Sequence, residues 1–128
     1  MSTIDKFLQN IFPAFPDDTA IPIWDRKADE GPGFPRGWKA GRSYNAANAH
    51  YFGTSSLKPD AEGRIRNRIK NFAALHVVVL DDIGTKVDPD SLPDAFKRPS
   101  YIIKTSPGNY QYGLVLEKPI ADYDHAKA

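Results

Sequence analysis

The sequence predicts an α+β domain in which helices flank a mostly antiparallel sheet. Three observations carry this prediction. An amphipathic pattern lies near the N terminus, an apolar run with three consecutive valines lies at residues 73–80, and two apolar segments are joined by Ser-Pro-Gly-Asn. In chain order, these patterns are typical of a helix, a buried strand and a β-hairpin.

The first helix is predicted over residues 2–12. Ser2 or Thr3 can serve as its N-cap, and Pro13 cannot continue it. Its apolar side chains recur at helical spacing and share one face. These side chains are Ile4, Phe7, Leu8, Ile11 and Phe12.

Residues 13–43 contain five prolines and four glycines. Irregular structure is expected there, packed on the domain through its scattered aromatic side chains. We therefore divide the chain into an irregular N-terminal extension, residues 1–42, and a core that carries the motifs, residues 43–128.

The strands of the sheet are expected in the second half of the chain. Residues 43–53 fit a strand or a short helix, and residues 73–80 fit a buried strand. A polar connection with one helical turn follows over residues 84–99. Residues 100–105 and 111–117 then form the predicted hairpin, because the Ser-Pro-Gly-Asn between them is turn chemistry.

Near the C terminus, Asp122 follows Pro119 as a good N-cap, and the last six residues have helix-forming composition. The chain stops barely two turns into that helix, and an isolated helix of this length is marginal. We therefore expect the chain to be the front part of a longer protein.

Composition limits the class of protein. The chain has 128 residues, enough for one core, with 41% hydrophobic and 26% charged residues, as in folded globular proteins. A net charge of +1 gives no global reason to expect nucleic acid as a partner. The lack of cysteine excludes disulfides and thiolate metal sites and fits a reducing compartment.

No targeting or membrane segment is evident in the sequence. The N terminus carries an early acidic residue, and the longest apolar stretch contains His76 and is too short to cross a bilayer. We therefore expect a cytoplasmic protein without a membrane partner.

Two adjacent carboxylates, Asp81 and Asp82, end the buried strand and precede Gly84. Neighbouring side chains of a strand point to opposite faces, so the pair can converge only if the strand ends or bulges there. Converging carboxylates would suit Mg²⁺ or Mn²⁺, which bind one or two carboxylates together with substrate phosphates. The alternative is a plain turn in which Asp81 bonds to local backbone N–H groups.

Other acidic and imidazole groups fit structural roles better. Asp88 and Asp90 flank Pro89, which favours a solvated loop over a ligand pair. His76 lies within the apolar strand and is expected to be a hydrogen-bonded core histidine.

A basic stripe precedes the buried strand. Its cations alternate with other residues and would share one face of an extended chain, where they could contact phosphates. A solvated basic face is the equally weighted alternative. The candidate DNA-binding cations are Arg64, Arg66, Arg68 and Lys70.

The predicted hairpin turn gathers polar groups that could bind phosphate oxygens or a base edge, and Gly108 allows close backbone approach. The alternative is an ordinary hairpin turn, which would account for Pro-Gly-Asn without any ligand. The candidate nucleotide-binding residues are Lys104, Ser106, Asn109 and Gln111.

The aspartate pair in VVVLDDIGTK and the hairpin in PSYIIKTSPGNYQYGLVLEKPI occur in this order about twenty residues apart. Together they resemble the RepB-like primase domains of plasmids and phages, in the archaeo-eukaryotic primase (primase–polymerase) superfamily. The resemblance covers residues 43–128, and TSPGNYQ is its more specific element. Many members of the superfamily have Asp-x-Asp and a histidine in the second motif. The present chain has adjacent aspartates, with Asn109 and Gln111 in the second motif.

The resemblance implies an RRM-like core, truncated at the C terminus, in which Asp81 and Asp82 hold catalytic Mg²⁺ or Mn²⁺. It also implies that the hairpin at residues 105–111 contacts the incoming nucleotide, and that a third acidic ligand lies beyond residue 128. The implied activity is nucleotidyl transfer on a single-stranded DNA template to start plasmid or phage replication, inactive in this fragment if the third acid is essential. Nucleoside triphosphates would be substrates, and a helicase or further domain of the parent protein would be a partner.

Two other functions stay open at this point. In the first, the chain is a non-enzymatic nucleic-acid-binding module of a replication initiator, and the aspartate pair is a structural turn. In the second, it is a divalent-metal nuclease, which would use the same carboxylates but would leave the TSPGNYQ turn unexplained.

Overall fold

The computed structural model describes residues 2–25, 34–39 and 46–127. The chain separates into two compact units, of which the first contains residues 1–76 and 119–128 and the second residues 77–118.

The first unit begins with helix α1, Thr3–Ile11. Ser2 caps it, since the Ser2 Oγ accepts the Asp5 backbone N–H at 3.0 Å. At the other end the Phe12 N–H donates to the Leu8 carbonyl at 2.8 Å. The apolar side chains of Leu8, Ile11 and Phe12 are buried. The predicted helix and its N-cap are confirmed.

Three short strands form an antiparallel sheet in the first unit: β1, Ile21–Trp24, β2, Arg36–Trp38, and β3, Tyr51–Phe52. Their order is β2-β1-β3, with β1 in the centre. Strands β1 and β2 lie within residues 13–43, so the prediction of irregular structure is wrong at these two strands, while the other described residues of the segment form neither a helix nor a strand. Residues 26–33 and 40–45 lie outside the described part.

Pro22 explains why the sequence pattern concealed the central strand β1. Proline lacks a backbone donor and is rare in central strands, so its presence favours a loop. Here Pro22 is in register with Gly37 of β2, and its carbonyl accepts the Gly53 N–H at 2.8 Å. Gly37 has no room for a larger residue, because a Cβ there would lie 2.8 Å from the Ala20 Cβ. Gly37 thus allows β2 to pack closely against Ala20, which precedes β1.

Strand β4, Ser55–Leu57, pairs antiparallel with the first residues of β5, Phe72–Ile83. A pair of backbone hydrogen bonds between Ala20 and Leu57, 2.9 and 2.8 Å long, joins this pairing to the segment before β1. The predicted strand over residues 73–80 is confirmed by β5, but within that range only His76 and Val77 are buried and the other residues are partly exposed.

The first unit ends with helix α2, Tyr123–Lys127. The Asp122 Oδ1 accepts the Asp124 N–H at 2.9 Å, so the predicted N-cap is confirmed. The Tyr123 ring packs edge-on against Phe72, with ring centroids 5.4 Å apart.

Asp5 is a buried acidic residue at the centre of the first unit and 4% exposed. Its Oδ1 accepts the Trp38 Nε1–H at 2.9 Å, and both carboxylate oxygens lie 3.1 Å from the Ala46 N–H. The Ser2 hydroxyl also donates to it. Burial alone would raise the pKa of the Asp5 carboxyl, but these hydrogen bonds outweigh burial and lower that pKa below its ordinary value of 3.8.

His76 is also buried, and its Nε2 lies 2.9 Å from the Ser56 Oγ. The rings of Phe12 and Phe15 pack edge-on against the imidazole. Desolvation in this apolar environment lowers the pKa of His76 below 6.5. The prediction of a hydrogen-bonded core histidine is confirmed.

The second unit contains the later residues of β5 together with β6, Tyr101–Ser106, and β7, Asn109–Ile120. Within the unit the strand order is β5-β7-β6, and β6 pairs antiparallel with β7. The predicted hairpin is therefore confirmed. The connection from β5 to β6 contains two 3₁₀ turns, Pro89–Ser91 and Asp94–Phe96.

A glycine is required where β6 faces β7. Gly113 is in register with Tyr101, and a Cβ on it would lie 2.0 Å from two carbons of the Tyr101 ring. Burial against the sheet raises the pKa of Tyr101 to about 12. The ring thus covers the space that a side chain at residue 113 would occupy.

The architecture is α+β, with two antiparallel sheets and few helices, as the sequence predicted. The more specific RRM-like core stays a prediction. Among the described residues, no helix is long and apolar enough to cross a membrane.

Candidate functional site

Asp81 and Asp82 lie near the end of β5 in the second unit. Asp82 has a positive φ of 57°, a left-handed conformation that aspartate tolerates better than most residues. This conformation departs from the extended backbone of a strand, so the regular alternation of side chains is interrupted at Asp82. The break predicted between the carboxylates therefore occurs at Asp82 itself.

Each carboxylate has one oxygen engaged by the protein. The Asp81 Oδ1 accepts the Asp82 backbone N–H at 2.9 Å, and the Asp82 Oδ1 lies 3.5 Å from the Asn109 Nδ2. The Lys86 Nζ lies 3.9 Å from the Asp82 Oδ2, but its side chain is 82% exposed and such an ion pair is weak. The Oδ2 atoms are the oxygens of this pair best placed to bind a ligand.

A tight turn follows the aspartate pair. The Asp82 carbonyl accepts the N–H groups of Lys86 and Val87 at 3.1 and 3.0 Å, and the Gly84 N–H donates to the Val87 carbonyl at 2.7 Å. Gly84 has a φ of 96°, a conformation that favours glycine. We call residues 81–87 the aspartate turn.

The second turn joins β6 to β7. Ser106 pairs with Asn109 across Pro107 and Gly108, and Gly108 has a φ of 73°. Proline followed by a glycine of positive φ is the signature of a type II turn. A register shift between Lys104 and Ser106 accompanies it. We call residues 105–109 the hairpin turn.

The two turns touch through their backbones. A Cβ built on Gly84 would lie 2.5 Å from the Gly108 carbonyl oxygen and 3.6 Å from the Tyr110 Cδ2. Only glycine leaves room for this approach. The contact brings together the two motifs that the sequence singled out separately.

Asn109 connects the same two turns through its side chain. Its Oδ1 accepts the Thr85 hydroxyl at 2.5 Å, and its Nδ2 donates to the Thr105 Oγ1 at 2.8 Å. The Thr105 hydroxyl donates in return to the Asn109 carbonyl at 3.1 Å. Since the remaining Nδ2–H faces Asp82, every polar group of the amide has a protein partner.

The predicted nucleotide-binding residues do not lie on one face. Lys104 is opposite Tyr110 and Gln111 is opposite Ile103, and opposed residues of an antiparallel pair share a face while neighbours alternate. Lys104 and Gln111 therefore point to opposite sides of the hairpin. Of the predicted set, Asn109 is directed at the aspartate turn.

The basic stripe lies in the first unit and is not an extended strand. Residues 64–67 have no regular structure and residues 69–71 form a 3₁₀ turn, so the cations do not line one strand face. Ile69, which lies between Arg68 and Lys70, is 66% exposed. The prediction of a regular cationic face is therefore not met in the described residues.

Half of the stripe is neutralised locally. Arg64 contacts Asp60 at 3.4 Å and Glu62 at 3.1 Å, while the Arg66 Nε lies 3.8 Å from Asp60. The Arg66 guanidinium also stacks 4.7 Å above the Phe34 ring centroid. Arg68 and Lys70 form no ion pair with residues that the structure describes.

The sequence analysis did not predict Asp60 as the ion-pair partner of the basic stripe, although Asp60 precedes Arg64 by four residues. The N–H groups of Arg64 and Glu62 and the charge of Arg64 outweigh desolvation and lower the pKa of the Asp60 carboxyl.

Thr85 and Gly84 were missed as partners of the hairpin turn, because nothing in their local sequence indicates a contact with residues more than twenty positions away.

The donor set for a metal is incomplete within the described part of the chain, where no cluster of three or more acidic, histidine or cysteine side chains occurs. Two carboxylates with one available oxygen each still fit Mg²⁺ or Mn²⁺, which commonly take the rest of their ligands from phosphates and water.

Comparison of the chain with protein-family models, with curated proteins and with solved structures gave no match.

Proposed function

We propose that the chain is part of a primase–polymerase catalytic domain that joins nucleotides on a single-stranded DNA template for plasmid or phage replication. The observation that carries this proposal is the contact between the aspartate turn and the hairpin turn through Gly84 and Gly108. It supports the proposal because the resembled family needs a carboxylate metal site beside a nucleotide-contacting hairpin.

In this proposal the Oδ2 atoms of Asp81 and Asp82 ligate the divalent ions. When bound, Mg²⁺ or Mn²⁺ lowers the pKa of the attacking 3′-hydroxyl and neutralises the leaving pyrophosphate. The hydroxyl oxygen forms a bond to the α-phosphorus, the bond from that phosphorus to the bridging oxygen breaks, and the hydroxyl proton passes to water. The chain supplies positioning and charge, which dominate catalysis of phosphoryl transfer.

The nucleotide would lie along the exposed side of the hairpin turn. Lys104 and Ser106 are exposed and available to phosphate oxygens. Gln111 lies on the face opposite to Lys104, so it would reach the nucleotide only from the other side of the hairpin.

The test is calorimetric titration of Mn²⁺ and a nucleoside triphosphate into the chain and into Asp81→Ala/Asp82→Ala. Metal-dependent binding that is lost in the double variant is expected. Asp17→Ala/Asp18→Ala is the matched control, because it removes another adjacent and exposed aspartate pair. Equal loss in both variants, or binding unchanged in the first, would refute a metal role for Asp81 and Asp82.

A non-enzymatic nucleic-acid-binding module is the second candidate function. It is favoured by the hydrogen bonds that Asp81 and Asp82 make within the turn, and by Arg68 and Lys70, which are available to phosphates. This function predicts DNA binding that survives EDTA and weakens in Arg68→Ala/Lys70→Ala more than in Arg64→Ala.

Incubation with labelled DNA and Mn²⁺ separates the enzymatic alternatives, since longer products indicate a polymerase and shorter ones a nuclease.

A further inference from the structure

The side chain of Asn109 is more fully engaged than a ligand-binding amide would be. Its Oδ1 is held by Thr85 at 2.5 Å and its Nδ2 by Thr105 at 2.8 Å. A side-chain amide has two donor hydrogens and one acceptor oxygen. After these two bonds only one N–H is left, and it is directed at the Asp82 Oδ1.

The partners of Asn109 determine which way its amide faces. The Thr105 hydroxyl donates its hydrogen to the Asn109 carbonyl and therefore accepts from the Nδ2, and a carboxylate such as that of Asp82 can only accept. The Nδ2 therefore faces Thr105 and Asp82, and the Oδ1 is left to accept from the Thr85 hydroxyl. Thr85 also belongs to the aspartate turn, while Thr105 belongs to the hairpin turn. The amide is therefore fixed from both turns.

The distance of 3.5 Å between the Asn109 Nδ2 and the Asp82 Oδ1 is at the outer limit of hydrogen bonding. Even so, the Asn109 N–H attracts the Asp82 Oδ1 and therefore favours the carboxylate orientation in which this oxygen points toward Asn109. The Asp82 Oδ2 is then left outward, on the side where Lys86 approaches it.

We infer that Asn109 is a positioning residue for Asp82, holding its carboxylate for a divalent cation, and not a ligand of the nucleotide. The inference rests on the proposed function, because it assigns Asn109 to the metal site proposed above. It predicts that the affinity of the chain for the metal depends on Asn109 and Thr85 even when no nucleotide is present.

The experiment measures binding of Mn²⁺ alone by the loss of its free-ion electron paramagnetic resonance signal. Asn109→Ala is expected to weaken Mn²⁺ binding about 10-fold, the lower end of the loss that follows removal of a hydrogen-bond partner of a metal ligand. Thr85→Val is expected to weaken it in the same direction, while Thr85→Ser, which keeps the hydroxyl, restores it. A nucleotide ligand would instead leave Mn²⁺ binding unchanged and lose only nucleotide affinity.

A second readout keeps this test separate from the test of function. The Asn109 side-chain amide gives a pair of ¹H–¹⁵N signals, identified by their loss in Asn109→Ala. These signals should shift in Asp82→Ala and in Thr85→Val, but much less in Thr85→Ser. If the unsubstituted chain binds no Mn²⁺, the proposed function and the positioning role both fail, whatever the amide signals show. If Mn²⁺ binds through the aspartates but Asn109→Ala leaves its affinity unchanged, the inference alone is overturned.

Discussion

At the scale of single residues, Asp5 joins three separate segments of the first unit through one carboxylate. It accepts hydrogen bonds from the Ser2 hydroxyl, the Trp38 indole and the Ala46 backbone. A buried carboxylate without these donors would be costly, and the donors without it would be equally unsatisfied. One short polar side chain therefore fixes how α1 packs on the strands.

Substitution Asp5→Ala should lower the free energy of unfolding by about 2–5 kcal/mol, because it leaves the Trp38 and Ala46 N–H groups buried without acceptors at about 1–3 kcal/mol each. Urea unfolding monitored by circular dichroism gives this value. The exposed Asp17→Ala is the control and should change stability by less than about 0.5 kcal/mol. A similar small change in Asp5→Ala would contradict the role of this carboxylate.

At the scale of elements, the backbones of the aspartate turn and the hairpin turn approach each other directly at Gly84 and Gly108. Gly84 and Gly108 both have positive φ, but only Gly84 is crowded: a Cβ there meets the Gly108 oxygen, while a Cβ on Gly108 has nothing within 4 Å. The two glycines therefore separate the cost of an unfavourable φ from the cost of forcing the turns apart.

Gly108→Ala should cost about 1–2 kcal/mol, the usual penalty for a side chain in the left-handed region. Gly84→Ala should cost more, about 2–4 kcal/mol, because steric displacement adds to that penalty. Urea denaturation of the two variants compares them directly. Equal costs would show that the turns separate easily, and the contact would then carry little of the site.

The predictability of each element follows from the range of its interactions. The hairpin and β5 were predicted because turn chemistry and a valine-rich run are local signals. Strand β1 was not, because Pro22 favours a loop until Gly37 is brought opposite to it. Asp82 and Asn109 are 27 residues apart, so the amide that links the two motifs was assigned to the nucleotide when only its own turn was considered.

At the scale of the whole molecule, the buried Asp5 and His76 and the partly buried Tyr101 contribute to how stability depends on pH. The pKa of His76 is lowered below 6.5, that of Asp5 is lowered below 3.8, and that of Tyr101 is raised to about 12. Two of these groups lie in the first unit and Tyr101 lies in the second. Of these three groups, the two that titrate in acid lie in the first unit, and the one that titrates in strong base lies in the second.

Stability should be greatest between about pH 7 and pH 10. Below pH 6.5 the unfolded chain protonates its His76 before the folded chain does, so the unfolding free energy falls. Below pH 3.8 the stabilisation by ionised Asp5 is lost as well. Above pH 10 the unfolded chain ionises Tyr101 first, and stability declines as the pH approaches 12.

Urea unfolding midpoints across this range give the profile. In His76→Gln the decline between pH 7 and pH 5 should be reduced, while the decline above pH 10 should persist. If the decline in stability between pH 7 and pH 5 were identical in the unsubstituted chain and in His76→Gln, His76 would not be its cause.

The buried Asp5 carboxylate also has a consequence for the order in which the chain folds. Its partners Trp38 and Ala46 are 33 and 41 residues away, so its bonds form only after a long stretch of chain has closed. Closing such loops costs entropy before any contact compensates it, and we expect the bonds of Asp5 to form after the rate-limiting step of folding. In that case, loss of the carboxylate increases the unfolding rate of the native state and leaves its folding rate almost unchanged.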